Sequence, residues 1–336
     1  MGAAPLLKIE NLSTHYVSAR GTRVVRAVDG VSLSIGARET LGIVGESGSG
    51  KSTLALSVLR LLPPSARIAG GRMLFEGEDL LQKSEAEMRR LRGRRIAMIL
   101  QDPMASLNPL FTVGDQVAEP IRVHERAKRR TAWRRALDLL QAVRIASPAT
   151  RLLQFPHEMS GGMRQRIVGA IGISCEPRLL IADEPTTSLD LTIQAQYLNL
   201  LRELQQAHGL ALIFITHNLG IVAKMCDQLA VMYAGQLVEA GPVRQIFDNP
   251  AHPYTQALLN SIPRLSDSRR RLSAIDGQPP DLGLMPAGCA FAPRCSQAVD
   301  RCRSAPPPEV SIGDRHHAKC WLLAADAADK VKRGAA

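Results

Sequence analysis

Four stretches of this chain are apolar for about the length of one strand: residues 40–44, 96–100, 178–185 and 210–216. Short runs of this kind, bounded by turn residues, predict buried strands. Earlier positions behave differently. Residues 7–10, 24–28 and 31–35 alternate apolar with polar side chains, which predicts strands of an antiparallel sheet. Residues 72–75 predict one more short strand, and 228–233 with 235–240 a hairpin-like pair around Ala234-Gly235. Helical spacing fills the gaps: 52–62 with Leu54, Val58, Leu59 and Leu62 on one stripe, stopped by Pro63-Pro64; much of 112–157, clearest over 131–143; and 191–208. Strands alternating with helices predict an α/β fold. From Gly241 prolines recur and the pattern fades into a weakly regular extension with a helix over 254–261.

The first buried strand runs into Gly45-Glu46-Ser47-Gly48-Ser49-Gly50-Lys51-Ser52, which fits G-x-x-x-x-G-K-[ST]. Strand, glycine loop and helix are the context that a phosphate-binding loop requires. Glycines let backbone N–H groups turn toward phosphate oxygens, and the helix start adds its positive end. Lys51 supplies a charge for β- and γ-phosphates, and the Ser52 hydroxyl suits Mg2+. The other buried strands also end on polar groups: Gln101, then Asp183-Glu184, then His217. The carboxyl ends of strands are where open α/β sheets meet their ligands. Adjacent carboxylates repel unless something positive lies between, so Asp183 predicts a Mg2+ ligand and Glu184 a group that orients a water. Ser160-Gly161-Gly162-Met163 predicts a capped helix start with accessible N–H groups, suited to an anion. Tyr16 is placed in the first turn, where it either stacks on an adenine or covers the sheet edge.

Composition narrows the partners. Lys+Arg 42 against Asp+Glu 31 gives +11, which suits nucleic acid, an anionic membrane surface or a polyphosphate. Aromatic residues at 4% leave little material for base-stacking platforms, which argues against single-stranded nucleic acid. No apolar run reaches the roughly 18–20 residues of a membrane span, and no leader pattern is visible. A cytosolic setting, with docking on a membrane partner, is the expectation. There six cysteines stay reduced or bind metal, with Cys175 and Cys226 in the core.

The order and spacing of the phosphate loop, Gln101 before Asp102-Pro103, Ser160-Gly161-Gly162, Asp183-Glu184, Ser188-Leu189-Asp190 and His217 resemble the ATP-binding subunit of an ABC transporter. Met98 to Pro109, Pro156-His157-Glu158 and Asn249 to Thr255 look like the dipeptide, oligopeptide and nickel importer branch, as does Gly288 to Cys295. The resemblance implies a RecA-like phosphate-loop ATPase core with an antiparallel β subdomain, an inserted α-helical signature subdomain near 103–165, and a small irregular C-terminal extension containing cysteines. Domains are then 1–250 and 251–336.

By the same resemblance ATP contacts Tyr16 and the loop from Gly45 through Glu46, Ser47, Gly48, Ser49, Gly50, Lys51 and Ser52 to Thr53. Ser160, Gly161, Gly162 and Met163 reach the ATP of a partner subunit, and Asp190 links the two sites. Glu184 is the general base, His217 contacts the γ-phosphate, and Ser52, Gln101 and Asp183 serve Mg2+. The implied partners are a second ATPase subunit, a heterodimer being expected, with two permease subunits and a substrate-binding protein; nucleic acid is not among them. The place is the cytoplasmic face of the inner membrane. Dipeptides or oligopeptides are the expected cargo, with nickel or another solute as the alternative. A soluble ABC-type ATPase and a non-hydrolysing ATP-binding regulator are the rivals. Cys289, Cys295, Cys302 and Cys320 lack the paired spacing of zinc ribbons. Four thiols leave an iron–sulfur or zinc site open, the latter with His316 or His317; resemblance favours [4Fe–4S], and free thiols are the alternative.

Overall fold

The structure, a computed structural model, describes residues 4–19, 21–187, 189–262 and 275–324, so Ser188 lies outside the described residues. Its strands, in chain order, are β1 Leu7–Val17, β2 Val24–Ile35, β3 Thr40–Val44, β4 Ala66–Phe75, β5 Glu78–Asp79, β6 Ile96–Ile99, β7 Leu179–Asp183, β8 Ala211–Ile215, β9 Gln228–Tyr233, β10 Gln236–Pro242, β11 Glu309–Gly313 and β12 His316–Lys319. The polypeptide builds two compact units and passes between them several times. One holds the middle of the chain, Leu74–Ile215, with Ile35–Thr40; the other holds Lys8–Ser34, Leu41–Met73 and the described residues from Thr216 onward.

In the first unit β6, β7 and β8 run parallel, with Ile96 opposite Leu179 and Leu179 opposite Ala211. Every residue of β7 and β8 is buried, as their apolar composition requires. Helices Val113–Glu125, Arg129–Ala142 and Gly161–Ile173 pack on one another, and the last also meets β6. Helix Leu191–His208 begins where the Asp190 side chain accepts from Thr192 N and Ile193 N, and stops where Gly209 turns left-handed at φ 60. Residues 104–108 are not helical throughout, as Pro103 and Pro109 demand. A single turn, Pro103–Ser106, forms there, capped by Asp102 through Met104 N at 2.7 Å.

In the second unit β1, β2 and β4 pair in the order β2-β1-β4. There β3 lies parallel to β9. β9 and β10 form the expected hairpin; Ala234 and Gly235 both take positive φ, 47 and 80, as a tight turn matched to strand twist needs. The extension departs from expectation. It ends in a β11–β12 hairpin whose β12 pairs antiparallel with β10, and its Tyr254, Ala290 and Phe291 belong to the same buried cluster as Val44, Val231 and Tyr233. Among the described residues no helix is long and apolar enough to cross a membrane.

Candidate functional site

The phosphate loop joins β3 to helix Lys51–Leu59 in the second unit. Two of its glycines are there because nothing else fits. A Cβ on Gly50, at φ 99, would stand 2.0 Å from the Ala27 carbonyl oxygen; one on Gly45 would stand 2.2 Å from that of Met232. The buried Lys51 ammonium donates to Gly45 O at 2.8 Å, Glu46 O at 2.9 Å and Ser49 Oγ at 3.4 Å, so its charge is held over the loop. Ser52 is exposed. A glycine turn, a fixed cation and a helix start together can hold a polyphosphate. Tyr16 lies within β1, not in a turn, and its hydroxyl stands 3.4 Å from Thr53 Oγ1. His217 also belongs to this unit and is exposed, beside Asn218, which caps helix Leu219–Met225.

The carboxylates are in the first unit. β7 delivers Asp183, 4% exposed, and then turns at Glu184, whose φ of 45 is left-handed for a residue with a side chain. Such a conformation costs on the order of 1 kcal/mol. It is held by Glu184 N donating to Ile215 O at 2.9 Å. The turn aims the carboxylate so that Oε2 accepts from Gln101 Nε2 at 3.2 Å and Thr187 Oγ1 at 3.0 Å. Sequence reasoning named Gln101 and Glu184 but missed Thr187. A hydroxyl three residues along a turn is its only signal. An aimed carboxylate can orient a water. The Gln101 amide oxygen and the Asp183 carboxylate in this unit are hard oxygen donors of the kind that suits Mg2+, and the Ser52 hydroxyl of the other unit is a donor of the same kind.

The Ser160 Oγ accepts from Met163 N at 3.3 Å and starts helix Gly161–Ile173. Ser160 and Gly161 are exposed, and a Cβ on Gly161 would meet nothing within 4 Å. Gly162 is closed on its other side: a Cβ there would fall 2.8 Å from Ile193 Cγ2. This helix start is open to a ligand that comes from outside the chain.

The expected iron–sulfur or zinc site finds no support among the described residues. Cys289, Cys295, Cys302 and Cys320 are free cysteines, and among the described residues no group of three or more His, Cys, Asp or Glu stands where it could hold a metal. The thiols share a neighbourhood: Cys289 N donates to Cys302 O at 2.8 Å. Burial first, and one another's charge after it, pushes the Cys289, Cys295 and Cys320 thiols above their ordinary pKa. His316 Nε2 lies 2.8 Å from Glu239 Oε1.

Comparison with known proteins agrees with this geometry. Residues 28–187 match the ABC transporter family model, and 238–302 match that of the oligopeptide/dipeptide transporter C-terminal region. A dipeptide transport ATP-binding protein of Bacillus subtilis (strain 168) is 48% identical over 318 residues, 94% of each chain. The dipeptide transport ATP-binding protein of Escherichia coli (strain K12) is 47% identical over 322 residues, 96% of this chain and 98% of that one. A probable peptide ABC transporter ATP-binding protein of Sinorhizobium fredii is 50% identical over 318 residues, 94% of each. Among solved structures, a dimeric ATP-binding cassette in a post-hydrolysis state, bound to ADP and Pi, has a TM-score of 0.64 at 24% identity, covering 71% of this chain and 99% of that one. Fold and loop thus define a phosphate-loop ATPase of the cassette type, which hydrolyses ATP with Mg2+. The chain belongs to the ABC transporter family, among the ATP-binding proteins that carry the oligopeptide/dipeptide transporter C-terminal region.

Proposed function

We propose that this chain is the ATP-hydrolysing subunit that energises a peptide importer, with dipeptides or oligopeptides as cargo. The observation that carries the reading is the aimed carboxylate of Glu184, held by Gln101 and Thr187 at the end of β7. In this reading the loop from Gly45 to Thr53 binds the triphosphate and Tyr16 contacts adenine. Ser52, Gln101 and Asp183 would hold Mg2+, which would supply positive charge against the phosphates. Glu184 takes the proton of the attacking water, and His217 contacts the γ-phosphate. Positioning and charge stabilisation supply most of the rate, as phosphoryl transfer requires.

Ser160, Gly161, Gly162 and Met163, an exposed helix start, serve the ATP of a second ATPase subunit, a heterodimer partner, and Asp190 couples the two sites. Residues 1–250 form the ATPase domain and 251–336 the extension. Two permease subunits dock beside Gln101, where Met104, Leu110 and Phe111 are 51%, 81% and 54% exposed. A substrate-binding protein joins through them, and the complex works at the cytoplasmic face of the membrane. Phosphate release tests the reading. Wild type releases phosphate from ATP and Glu184→Gln does not, while both bind ATP; equal low release in both would favour a non-hydrolysing regulator.

A further inference from the structure

Glu46 puts a carboxylate into the phosphate loop. A carboxylate beside a triphosphate repels it, and the repulsion is strong where water is scarce. The charge is answered by a residue 248 positions later. Arg294 donates from Nη1 to Glu46 Oε2 at 2.8 Å and from Nη2 to Glu46 Oε1 at 3.0 Å, a two-pronged pair. The Arg294 side chain is 5% exposed and that of Glu46 26%.

Arg294 is itself fixed from behind. Its Nε donates to Asp276 O at 2.9 Å, its Nη2 to Ile275 O at 3.2 Å and its Nη1 to the Tyr233 hydroxyl at 3.1 Å. The guanidinium carbon stands 5.8 Å from the Tyr233 ring centre and 6.0 Å from that of Phe291. The Glu46 backbone is held as well: its N donates to the Tyr254 hydroxyl at 3.0 Å. Tyr254 packs against Tyr233 and Phe291 with ring centres 4.6 and 5.3 Å away. One loop residue is therefore gripped at side chain and amide, and both grips come from the C-terminal extension.

We propose that Arg294 and Tyr254 are positioning residues of the ATPase: Arg294 cancels the Glu46 charge, and the two together fix the first turn of the phosphate loop for a nucleoside triphosphate. The proposal rests on the reading that this loop binds ATP. It makes the extension part of the nucleotide machinery rather than an appendage. A staple that only held the extension to the core would act on stability and leave nucleotide affinity alone.

ATP binding by the full chain, measured by calorimetry beside melting temperature and steady-state hydrolysis, separates the two. Arg294→Gln leaves the Glu46 carboxylate bare and should weaken ATP binding about tenfold, raising KM more than it lowers kcat. Glu46→Gln in the same chain removes the bare charge and should restore affinity to within about threefold of wild type. Tyr254→Phe, lacking only the hydroxyl, should weaken binding without a loss of melting temperature. Arg294→Lys keeps a charge opposite Glu46 without the two-pronged geometry and should bind ATP more tightly than Arg294→Gln but less tightly than wild type; Tyr254→Phe decides the matter if the Arg294 variants fail to fold. Unchanged affinity in Arg294→Gln, no recovery in the double variant, or unchanged affinity in Tyr254→Phe would each overturn the proposal. Lys51→Ala is the separate control. If wild type binds no better than Lys51→Ala, the ATP reading falls and this one with it. If Lys51→Ala loses binding and Arg294→Gln does not, only this one falls.

Discussion

His316 Nε2 lies 2.8 Å from Glu239 Oε1 at a point where their side chains are 4% and 0% exposed. Glu239 sits on β10 opposite Ala318 of β12, so the pair clamps the C-terminal hairpin onto the sheet. The Glu239 carboxylate has backbone partners too: Oε1 accepts from Ala251 N at 2.8 Å and Oε2 from His252 N at 2.9 Å. Removing one partner of a buried hydrogen bond leaves the other short of a partner, at a cost of about 1–3 kcal/mol. His316→Ala should lower the melting temperature and open the amides of β11 and β12 to hydrogen exchange. Protection equal to wild type would mean that backbone pairing alone holds the hairpin.

His252 makes stability depend on pH. Burial lowers its pKa to about 4 from the ordinary 6.5, against a smaller opposing pull from the Glu239 charge. Its Nδ1 accepts from Tyr254 N at 3.0 Å, a bond that protonation there would break. As pH falls below 6.5 the unfolded chain takes up this proton while the folded chain does not, so stability is lost down to about pH 4 and levels off below it. Full linkage over that window amounts to about 3 kcal/mol. His252→Asn keeps a capping acceptor without the titration. Its unfolding free energy should be flatter between pH 6.5 and 4 than that of wild type; parallel curves would place the proton elsewhere.

The parts of this site that could be read from sequence are those whose cause is local. The phosphate loop follows from glycines that must take positive φ, and Asp183, Glu184 and Gln101 from polar residues at the ends of apolar runs. Glu46 and Arg294 meet across 248 residues, and nothing near either one announces the other. Strand β12, His316–Lys319, lacks a clear alternation of apolar and polar residues; pairing with β10 makes it a strand. Cys289, Cys295, Cys302 and Cys320 lie close in sequence, but closeness in sequence does not by itself bring thiols into a metal's geometry.

The glycine argument can be tested without touching a charge. Gly50→Ala would push a Cβ to 2.0 Å from the Ala27 carbonyl oxygen and hold an L side chain at φ 99. Backbone must move, and the loop is the part that can. Strain of this kind costs roughly 1–3 kcal/mol. ATP binding should drop at least about tenfold while far-UV circular dichroism stays that of wild type; unchanged affinity would mean that the loop tolerates the shift.

Glu184 and Gln101 predict a split between binding and chemistry. Removing a general base costs about 10²–10⁴-fold in rate. Glu184→Gln should lose hydrolysis by that order and keep ATP affinity. Thr187→Val removes a donor that aims the carboxylate and should cost about tenfold in kcat, a smaller loss because Gln101 remains. A Thr187→Val rate equal to wild type would show that the hydroxyl does not aim Glu184.

The last prediction separates hydrolysis from transport. Leu110 and Phe111 follow Gln101 closely in the chain and leave most of their surface in water, where a monomer gains nothing by exposing them. Their place is held firmly: Gln116 Oε1 accepts from Asn108 N at 2.8 Å, and its Nε2 donates to Asn108 O at 2.9 Å and Phe111 O at 3.0 Å. A rigid, exposed apolar pair suits a docking face for membrane subunits better than a loop that bends on demand. Leu110→Asp with Phe111→Asp should leave ATP binding and phosphate release of the isolated subunit within about twofold of wild type, since exposed positions away from other contacts change stability by only about 0.5 kcal/mol. Copurification with the permease subunits and peptide uptake by cells should both fail. Uptake at the wild-type rate would show that the permeases grip the subunit elsewhere.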